Sequence, residues 1–370
     1  MKKIEIITLH RVPNYGSLLQ AYATQEVIGK LGYETEIVDY IPYRMTKRGM
    51  LKNIKNKKNI FKKSLLARTL ARIIIYPSYV KRFSTFTKGV EKYLNVTEIV
   101  YENEEQLEKN MPKADVYLTG SDQTWNSGWN EGIDYALFLK FVPDNVKKVA
   151  YAASFGKSKL DDWEKDETKK LLSRYSTISL REQSGVEICN DLEIKNTIAV
   201  LDPTLLLNGN EWRKISTNKY KNENYILVYN LNRNEKIDKY AKNLSKNTGL
   251  KIKYLSYQLH EFYKKGKMYC NPEVEEFLDL IDNAKYIISD SFHATAFSLN
   301  FNKEFIIVYP GKYSTRLQNI LILTGLTNRV AKNENDMSIT DNKIDYEKVN
   351  KIIEKERKKS IDWLDKSLKE

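Results

Sequence analysis

The chain has 370 residues, of which 41% are hydrophobic and 11% aromatic. This length favours two domains, and the apolar content suffices for two cores, so the composition excludes a globally disordered protein. The formal net charge of +13 is local, because residues 44–92 contain fifteen Lys or Arg and a single acid, Glu91, whereas the rest of the chain is close to neutral.

The chain begins with "IEIITL", a short apolar run that predicts a first strand. This run is broken by Glu5 and is not followed by a small-residue cleavage site, so it does not resemble a signal peptide. No apolar stretch reaches the roughly 18 residues of a membrane span. Cys189 and Cys270 are far apart and no metal-ligand spacing surrounds them, which argues against a disulfide framework or a zinc site. We therefore expect a soluble cytoplasmic protein without a metal.

Residues 44–92, which we call the basic excursion, allow three interpretations. The charge can simply solvate a surface. Alternatively, "SLLARTLARIIIYPSYVKRF" mixes apolar residues with Arg68, Arg72 and Lys81, a combination that suits an anionic membrane surface or a diphosphate-bearing substrate. Nucleic acid is the least favoured partner, because the sequence contains no zinc finger, aromatic RNP strand or basic heptad region.

Short β-rich runs alternate with helical runs along the whole chain. The first series of β-rich runs is "IEIITL", "ETEIVDY", "ADVYLTG", "KKVAYAASFG", "STISLRE" and "TIAVLDPT", and a second series begins near Tyr225 with "YILVYNL". Such alternation predicts the α/β class, with mostly parallel sheets covered on both faces. We predict lobes at 1–215 and 216–344, and a C-terminal helix at 345–370 that packs back on the first lobe.

Polar residues at the ends of predicted strands are candidate ligands, because open α/β sheets bind ligands beyond the carboxyl ends of their strands. In "HRVPNYGSLLQ", Gly16 and Ser17 open a helix whose free backbone N–H groups would face an anion or a sugar hydroxyl. In "TGSDQTWN" a strand ends at Ser121, Asp122 and Gln123. Asp122 can serve as a base or as a turn cap. Neither a dinucleotide fingerprint nor a P-loop is present.

His293 is one of three histidines in the chain, and it lies in "SDSFHATAFSL" at the start of a helical run that follows an apolar strand. A titratable ring at this turn would face the cleft between the lobes. Its alternative role is a neutral helix cap.

Six segments together resemble the bacterial polysaccharide pyruvyl transferase family, in the order "NYGSLLQAYA", "GSDQTWN", "YAASFG", "SLREQSG", "LDPTLLL" and "SDSFHATAFSLNF". The resemblance extends from about Lys3 to Arg329. It implies a GT-B-like fold with two Rossmann-like lobes. It also implies transfer of the enolpyruvyl unit of phosphoenolpyruvate onto two hydroxyls of a sugar, with phosphoenolpyruvate as co-substrate and no cofactor.

The resemblance carries over individual site residues. Arg181 matches the arginine that the family uses for phosphoenolpyruvate, unless it is a surface residue paired with Glu182. His293 matches the active-site histidine. Lys312 and Arg316, in "YPGKYSTRLQN", would close on the phosphate or else be ordinary helix-start residues.

We expect His293 and Asp122 to be catalytic. A cationic His293 would protonate C3 or donate to the leaving phosphate; the nearby Asp290 and the donor's own negative charge favour this form, and the helix N-terminus opposes it. The residues expected to bind substrate are Arg181, Lys312, Arg316, Asn14, Gly16, Ser121, Gln123 and Ser291. Ser291 departs from several family branches, which carry an arginine there. Either Lys312 or Arg316 replaces that arginine, or the donor differs.

Three functions follow from the sequence. The first is a pyruvyl transferase that forms a pyruvate ketal on a cell-surface, capsular or exopolysaccharide sugar, with a lipid-linked acceptor and peripheral contact with the inner face of an anionic membrane. The second is a GT-B glycosyltransferase that uses a sugar nucleotide. The third is a non-catalytic basic binding protein.

Overall fold

A computed structural model describes residues 1–56, 63–261, 264–309 and 315–369 of the protein. Lys312 and residues 57–62 of the basic excursion therefore lie outside the described residues.

The first sheet has seven parallel strands in the order β3-β2-β1-β4-β5-β6-β7. Its central strands are buried on both faces, as their nearly continuous apolar sequences require. The strands are β1 (Lys3–Ile7), β2 (Glu34–Tyr40), β3 (Val96–Tyr101), β4 (Val116–Thr119), β5 (Lys147–Ala153), β6 (Thr177–Leu180) and β7 (Ile198–Ala199).

The helices that accompany this sheet begin at polar caps. Asn14 caps the first helix and Ser64 caps the long helix of the basic excursion. The helices are α1 (Tyr15–Lys30), α2 (Lys47–Lys52), α3 (Leu65–Tyr93), α4 (Glu104–Lys109), α5 (Ser127–Asn130), α6 (Asp162–Leu172), α7 (Gln183–Asp191) and α8 (Gly209–Arg213).

The second sheet has five parallel strands in the order β10-β9-β8-β11-β12. They are β8 (Tyr225–Tyr229), β9 (Lys251–Ser256), β10 (Lys267–Cys270), β11 (Tyr286–Ser289) and β12 (Glu304–Ile307), accompanied by α9 (Glu235–Thr248), α10 (Val274–Asp282), α11 (Phe292–Asn300) and α12 (Thr315–Thr324). The predicted boundary at 215/216 falls in the stretch between the two sheets. Two parallel sheets with flanking helices confirm the predicted α/β class.

The last helix, α13 (Tyr346–Lys369), contacts both lobes: its first residue, Tyr346, donates through its hydroxyl to the carbonyls of Ser298 and Lys303 in the second lobe, and its later residues pack against the first. Ser360 Oγ accepts a 3.0 Å hydrogen bond from the backbone N–H of Leu201, and the ring of Trp363 lies 6.2 Å from that of Tyr151 on β5. Arg357 Nε donates to the carbonyl of Leu205 at 2.8 Å. Within the described ranges, no helix has the length and apolar character required to cross a bilayer.

Helix α3 spans the two lobes. Near its middle, Arg82 Nε donates to the carbonyl of Pro13 in the first lobe at 2.6 Å. Ser78 and Thr85 hydrogen-bond to the backbone of the second lobe. Apolar packing joins the lobes as well, because the Tyr15 ring at the start of α1 stacks on Phe277 of α10 at 3.9 Å. Part of the basic excursion therefore has a structural role, because α3 acts as a strap that is hydrogen-bonded to both lobes across their interface.

Candidate active site

Polar side chains from both lobes meet where the strand order of the first sheet reverses. The first strand of the chain, β1, lies between β2 and β4. The connections that follow β1 and β4 therefore leave in opposite directions, which opens a crevice at the carboxyl ends of these two strands. The side chains that meet there are Asp122 after β4, Arg181 after β6, Asp202 after β7, His293 at the start of α11 and Arg316 at the start of α12. We call these five residues the interlobe cluster.

Arg181 lies at the centre of the cluster with a fully buried side chain. Its Nη1 donates to Asp202 Oδ2 at 3.0 Å, and its Nη2 lies 3.5 Å from Asp122 Oδ1. Glu182 is a weaker partner, at 3.8 Å from Nε. Burial alone would lower the pKa of Arg181, but the surrounding carboxylates raise it. The alternative of a surface arginine paired with Glu182 is therefore wrong.

Asp202 was not among the residues predicted from the sequence. Its Oδ1 accepts hydrogen bonds from the backbone N–H and the hydroxyl of Thr204, at 2.9 and 2.7 Å. Its Oδ2 accepts from Arg181 and from Ser121 Oγ at 3.2 Å. Burial would raise the pKa of Asp202, but His293 and Arg181 lower it. The feature of the sequence that could have identified Asp202 is its position at the end of the predicted strand in "TIAVLDPT".

Asp122 is an ionised carboxylate in a strained turn. Its φ of 77° is in the left-handed region, which non-glycine residues rarely adopt. The carboxylate accepts from Ser17 Oγ at 2.6 Å and from the backbone N–H of Gln123 at 2.9 Å. Burial would raise its pKa, but Arg181 lowers it to about 2. Such a carboxylate is a weak base, so the structure favours an electrostatic role over the predicted base.

His293 is held between the lobes by its neighbours. Ser291 caps α11, accepting from the backbone N–H of Ala294 at 3.4 Å, and so fixes where the helix begins. The imidazole lies directly on Gly16 of the first lobe, where a Cβ would overlap the ring. Its Nε2 is 3.8 Å from Asp202 Oδ2. Gly16 therefore allows the close approach that brings the histidine to the cluster.

The cationic state of His293 was predicted with the negative donor beside the ring, and the free protein favours the neutral form. Burial lowers the pKa of His293 to about 4, and Asp202 and Asp122 offset only part of that effect. Asp290, the predicted partner, instead accepts hydrogen bonds from the backbone N–H groups of Leu231 and Asn232, at 2.8 and 3.0 Å. The ring is consequently neutral at pH 7.

Arg316 brings a second guanidinium into the cluster, from the opposite lobe. Its guanidinium carbon lies 6.0 Å from the centre of the Phe292 ring, and that of Arg181 lies 5.4 Å from the same ring. Burial, followed by the charge of Arg181, lowers the pKa of Arg316 to about 10. The effect of Arg181 on the pKa of Arg316 shows that the two cations repel each other, and an anion bound near both would offset this repulsion.

Several buried polar atoms of this region lack a hydrogen-bond partner within the described part of the chain. They are Nε and Nη2 of Arg181, Nε of Arg316, Nε2 of His293 and Oε2 of Glu182. Because buried donors without partners are costly, they indicate that a polar ligand completes the site.

Other predicted residues have structural partners. Asn14 Oδ1 accepts from the backbone N–H of Gly16 at 2.8 Å, and Gln123 Oε1 accepts from Asn126 Nδ2 at 2.6 Å. Ser121 is fully buried and bonded to Asp202. Among the residues that the structure describes, no group of three or more His, Cys, Asp or Glu side chains is arranged to hold a metal ion.

Two solved structures are similar in fold. The S. aureus MnaA–UDP complex has a TM-score of 0.52 at 14% identity, covering 92% of this chain and 86% of that one. The UDP-GlcNAc 2-epimerase of Neisseria meningitidis bound to UDP-GlcNAc has a TM-score of 0.50 at 12% identity, covering 100% and 99%. These likenesses support the predicted GT-B-like fold.

No curated protein matches the chain. The family model described as polysaccharide pyruvyl transferase matches residues 14–312, which include Asp122, Arg181, Asp202 and His293. That match extends over both sheets and most of the interlobe cluster. The chain therefore belongs to the polysaccharide pyruvyl transferase family, and it is a transferase.

Proposed function

We propose that the protein uses phosphoenolpyruvate as donor and forms a pyruvate ketal on a sugar of a cell-surface, capsular or exopolysaccharide repeat. One observation carries the proposal: Arg181 and Arg316 approach the same Phe292 ring from opposite lobes, and both have buried nitrogens that find no hydrogen-bond partner among the described residues. Phosphoenolpyruvate carries a phosphate and a carboxylate, both of which suit guanidinium groups.

The reaction needs balanced proton transfers. The vinyl C3 gains one proton, two sugar hydroxyls each lose one as they bond to C2, and the leaving phosphate takes up the other. A neutral His293 can accept a hydroxyl proton through Nε2, which no described residue engages in a hydrogen bond. Asp202 and Asp122 favour the resulting imidazolium, which then donates the proton to C3 or to phosphate.

The proposed acceptor is lipid-linked, which would give the basic excursion a role at the inner face of an anionic membrane. No cofactor, metal or nucleic acid enters this proposal. Phosphoenolpyruvate and the saccharide are its only substrates. Arg316 takes the part of the arginine that Ser291 replaces, and Lys312 stays a predicted contact outside the described residues.

A second candidate is a sugar-nucleotide glycosyltransferase. The observation that favours it is the similarity in fold to proteins bound to UDP or UDP-GlcNAc. Such an enzyme would be expected to hold its nucleotide with an acidic residue of the second lobe. Asp290, the nearest candidate, already accepts backbone hydrogen bonds from Leu231 and Asn232, so we place this function second.

Thermal melting with phosphoenolpyruvate and, separately, with UDP-sugars tests the choice. A ligand at 100 times its Kd should stabilise the native state by about 2.7 kcal/mol. We expect phosphoenolpyruvate to raise the melting temperature and UDP-sugars to leave it unchanged. The opposite result would favour the glycosyltransferase, and no shift with either would favour a non-catalytic binding protein.

A further inference from the structure

Helix α3 exposes an unusual number of apolar side chains. Among the described residues, sixteen large hydrophobic side chains are exposed, and seven of them lie on α3 between Leu65 and Val80. Leu66, Leu70, Ile73 and Val80 follow one another at helical spacing, so they form one stripe with Ile74 beside it. We call these five residues the apolar stripe.

The polarity of this helix is inverted relative to an ordinary surface helix, which turns its polar face to water. Leu66 is 71% exposed and Ile73 is 64% exposed, whereas Arg68 and Arg72 on the other side are partly covered. A contiguous exposed apolar patch marks an interaction surface.

Exposed basic residues lie on α3, just before it, and on α2, which packs against it. Arg48 on α2, Lys63 just before α3 and Lys81 beyond the stripe are exposed. The ammonium of Lys47 lies 5.5 Å from the centre of the Tyr76 ring. Glu91 is the only acid between residues 44 and 92. The partner of this surface must therefore be both apolar and anionic.

The stripe continues into a cavity of about 520 Å³ beside the start of α10. Tyr76, Pro77 and Val80 supply apolar walls. Lys81 and Lys88 supply positive charge, and Glu273, whose Oε1 lies 3.5 Å from Lys88 Nζ, supplies one negative charge. An apolar floor with a rim of net positive charge matches a lipid, whose acyl chain is apolar and whose headgroup carries phosphate.

We propose that the apolar stripe inserts into the headgroup region of an anionic lipid bilayer, with the surrounding Lys and Arg bound to lipid phosphates. A second copy of the chain is a poorer partner. A two-fold contact would set the stripe against itself and bring the basic residues of both copies together.

The position of α3 connects this surface to the cleft. Arg82, two residues after Val80, hydrogen-bonds to the carbonyl of Pro13, and the adjoining start of α1 carries Gly16 against His293. A lipid-linked acceptor held at the bilayer would thus lie beside the interlobe cluster. The presentation of a lipid-linked acceptor to the cluster rests on the proposed function, whereas the binding of the bilayer itself does not.

Co-sedimentation with vesicles tests the apolar part of the proposal. The full chain should bind vesicles that contain phosphatidylcholine and phosphatidylglycerol. It should bind vesicles of phosphatidylcholine alone much more weakly. Combining Leu66→Gln, Leu70→Gln and Ile73→Gln should weaken binding at least about tenfold, since each exposed side chain contributes buried apolar area. The matched control is Ile322→Gln on α12, because Ile322 is 67% exposed and Ile73 is 64% exposed.

A second set of variants tests the charges. Arg48→Gln, Lys63→Gln and Lys81→Gln together should weaken binding by more than tenfold, since each basic residue near the surface contributes roughly fivefold. Lys239→Gln, Lys242→Gln and Lys246→Gln remove the same charge from a basic surface of the second lobe and should have no such effect. Added salt should weaken wild-type binding.

Equal binding by the stripe variant and its Ile322→Gln control would overturn the proposal. Light scattering that shows a dimer lost on mutation of the stripe, without vesicle binding, would overturn it in favour of a second copy. Thermal melting with phosphoenolpyruvate distinguishes the two proposals. If phosphoenolpyruvate does not raise the melting temperature but the protein still binds vesicles through the stripe, only the proposed function is contradicted.

Discussion

At the scale of single residues, the buried neutral state of His293 determines which proton transfers are open to it. Its Nε2 has no hydrogen-bond partner in the part of the chain that the structure describes, and it lies 3.8 Å from Asp202 Oδ2. A neutral imidazole in this position begins the reaction as a proton acceptor. Two carboxylates then stabilise the charge that it gains, so the ring can return the proton as an acid.

His293→Gln should lower turnover by about 10²–10⁴-fold, because Gln retains a donor but cannot transfer a proton. Donor binding should change little. Assays of ketal formation at saturating donor measure the turnover number. A value within a few fold of wild type would exclude His293 as the proton-transfer group.

The same variant should alter acid stability. Burial lowers the pKa of His293 to about 4 from an ordinary 6.5, so between these pH values the unfolded chain binds a proton that the native state does not. Wild-type stability should therefore fall as the pH drops from 6.5 to 4, by on the order of 3 kcal/mol from this residue. Denaturant unfolding of both proteins across this range should show a smaller loss for His293→Gln.

Arg181→Lys should raise the apparent KM for phosphoenolpyruvate by about tenfold or more, because an ammonium cannot make the paired hydrogen bonds of a guanidinium. It should also lower the melting temperature, since Arg181 is buried among Asp122, Glu182 and Asp202. A variant that melts early but has a normal KM would assign Arg181 to structure alone.

Sequence reasoning identified four members of the interlobe cluster and missed the fifth. Asp122, Arg181, His293 and Arg316 follow strand ends or begin helices, which are positions that the sequence makes visible. Asp202 has the same kind of position, but its role depends on contacts with Ser121 and Arg181 from other strands. The expected partnership with Asp290 failed for a similar reason, because closeness in sequence does not fix the direction of a side chain.

At the scale of elements, the apolar runs predicted the central strands and the edge strand β7, whereas the edge strands β3 and β10 were not predicted. Strand β3 is half exposed at one edge of its sheet, and β10 is a four-residue edge strand. Edge strands need no continuous apolar run, because they have one neighbour and a wetter face. Helix α3 was also hard to predict, because Pro77 within it argues against a continuous helix.

Strand β1 carries a buried carboxyl group that makes stability depend on pH. Glu5 is paired in register with Glu36 and lies 3.0 Å from Lys3 Nζ. Burial, with the neighbouring Glu36, raises the pKa of Glu5 to about 8. Between pH 4.5 and 8, native Glu5 therefore retains a proton that Glu5 of the unfolded chain has lost. The contribution of Glu5 to the free energy of unfolding consequently falls as the pH rises from 4.5 to 8.

Glu5→Gln, which resembles the protonated form, should be more stable than wild type at pH 8 by on the order of 4 kcal/mol. The difference should shrink toward pH 4.5. Chemical denaturation at several pH values measures it, and a difference that is independent of pH would refute this account of Glu5.

At the scale of the whole molecule, the two lobes supply one arginine each to a common position. Neither lobe alone contains the interlobe cluster, since His293 and Arg316 belong to the second lobe and Asp122, Arg181 and Asp202 to the first. The apolar interface around Tyr15 and Phe277, together with the strap formed by α3, holds the two halves in register. Sequence alone could predict the two lobes, but not which side chains meet between them.

Calorimetric titration of phosphoenolpyruvate into wild type and Arg316→Gln tests the central claim most directly. Arg213→Gln is a suitable control, because that guanidinium lies 5.3 Å from the Phe301 ring and its carboxylate partner is Asp282. We predict measurable donor binding by wild type and the control, and at least tenfold weaker binding by Arg316→Gln, which loses a buried charge-assisted contact. Donor affinity that is the same in all three proteins would contradict a donor site between the lobes.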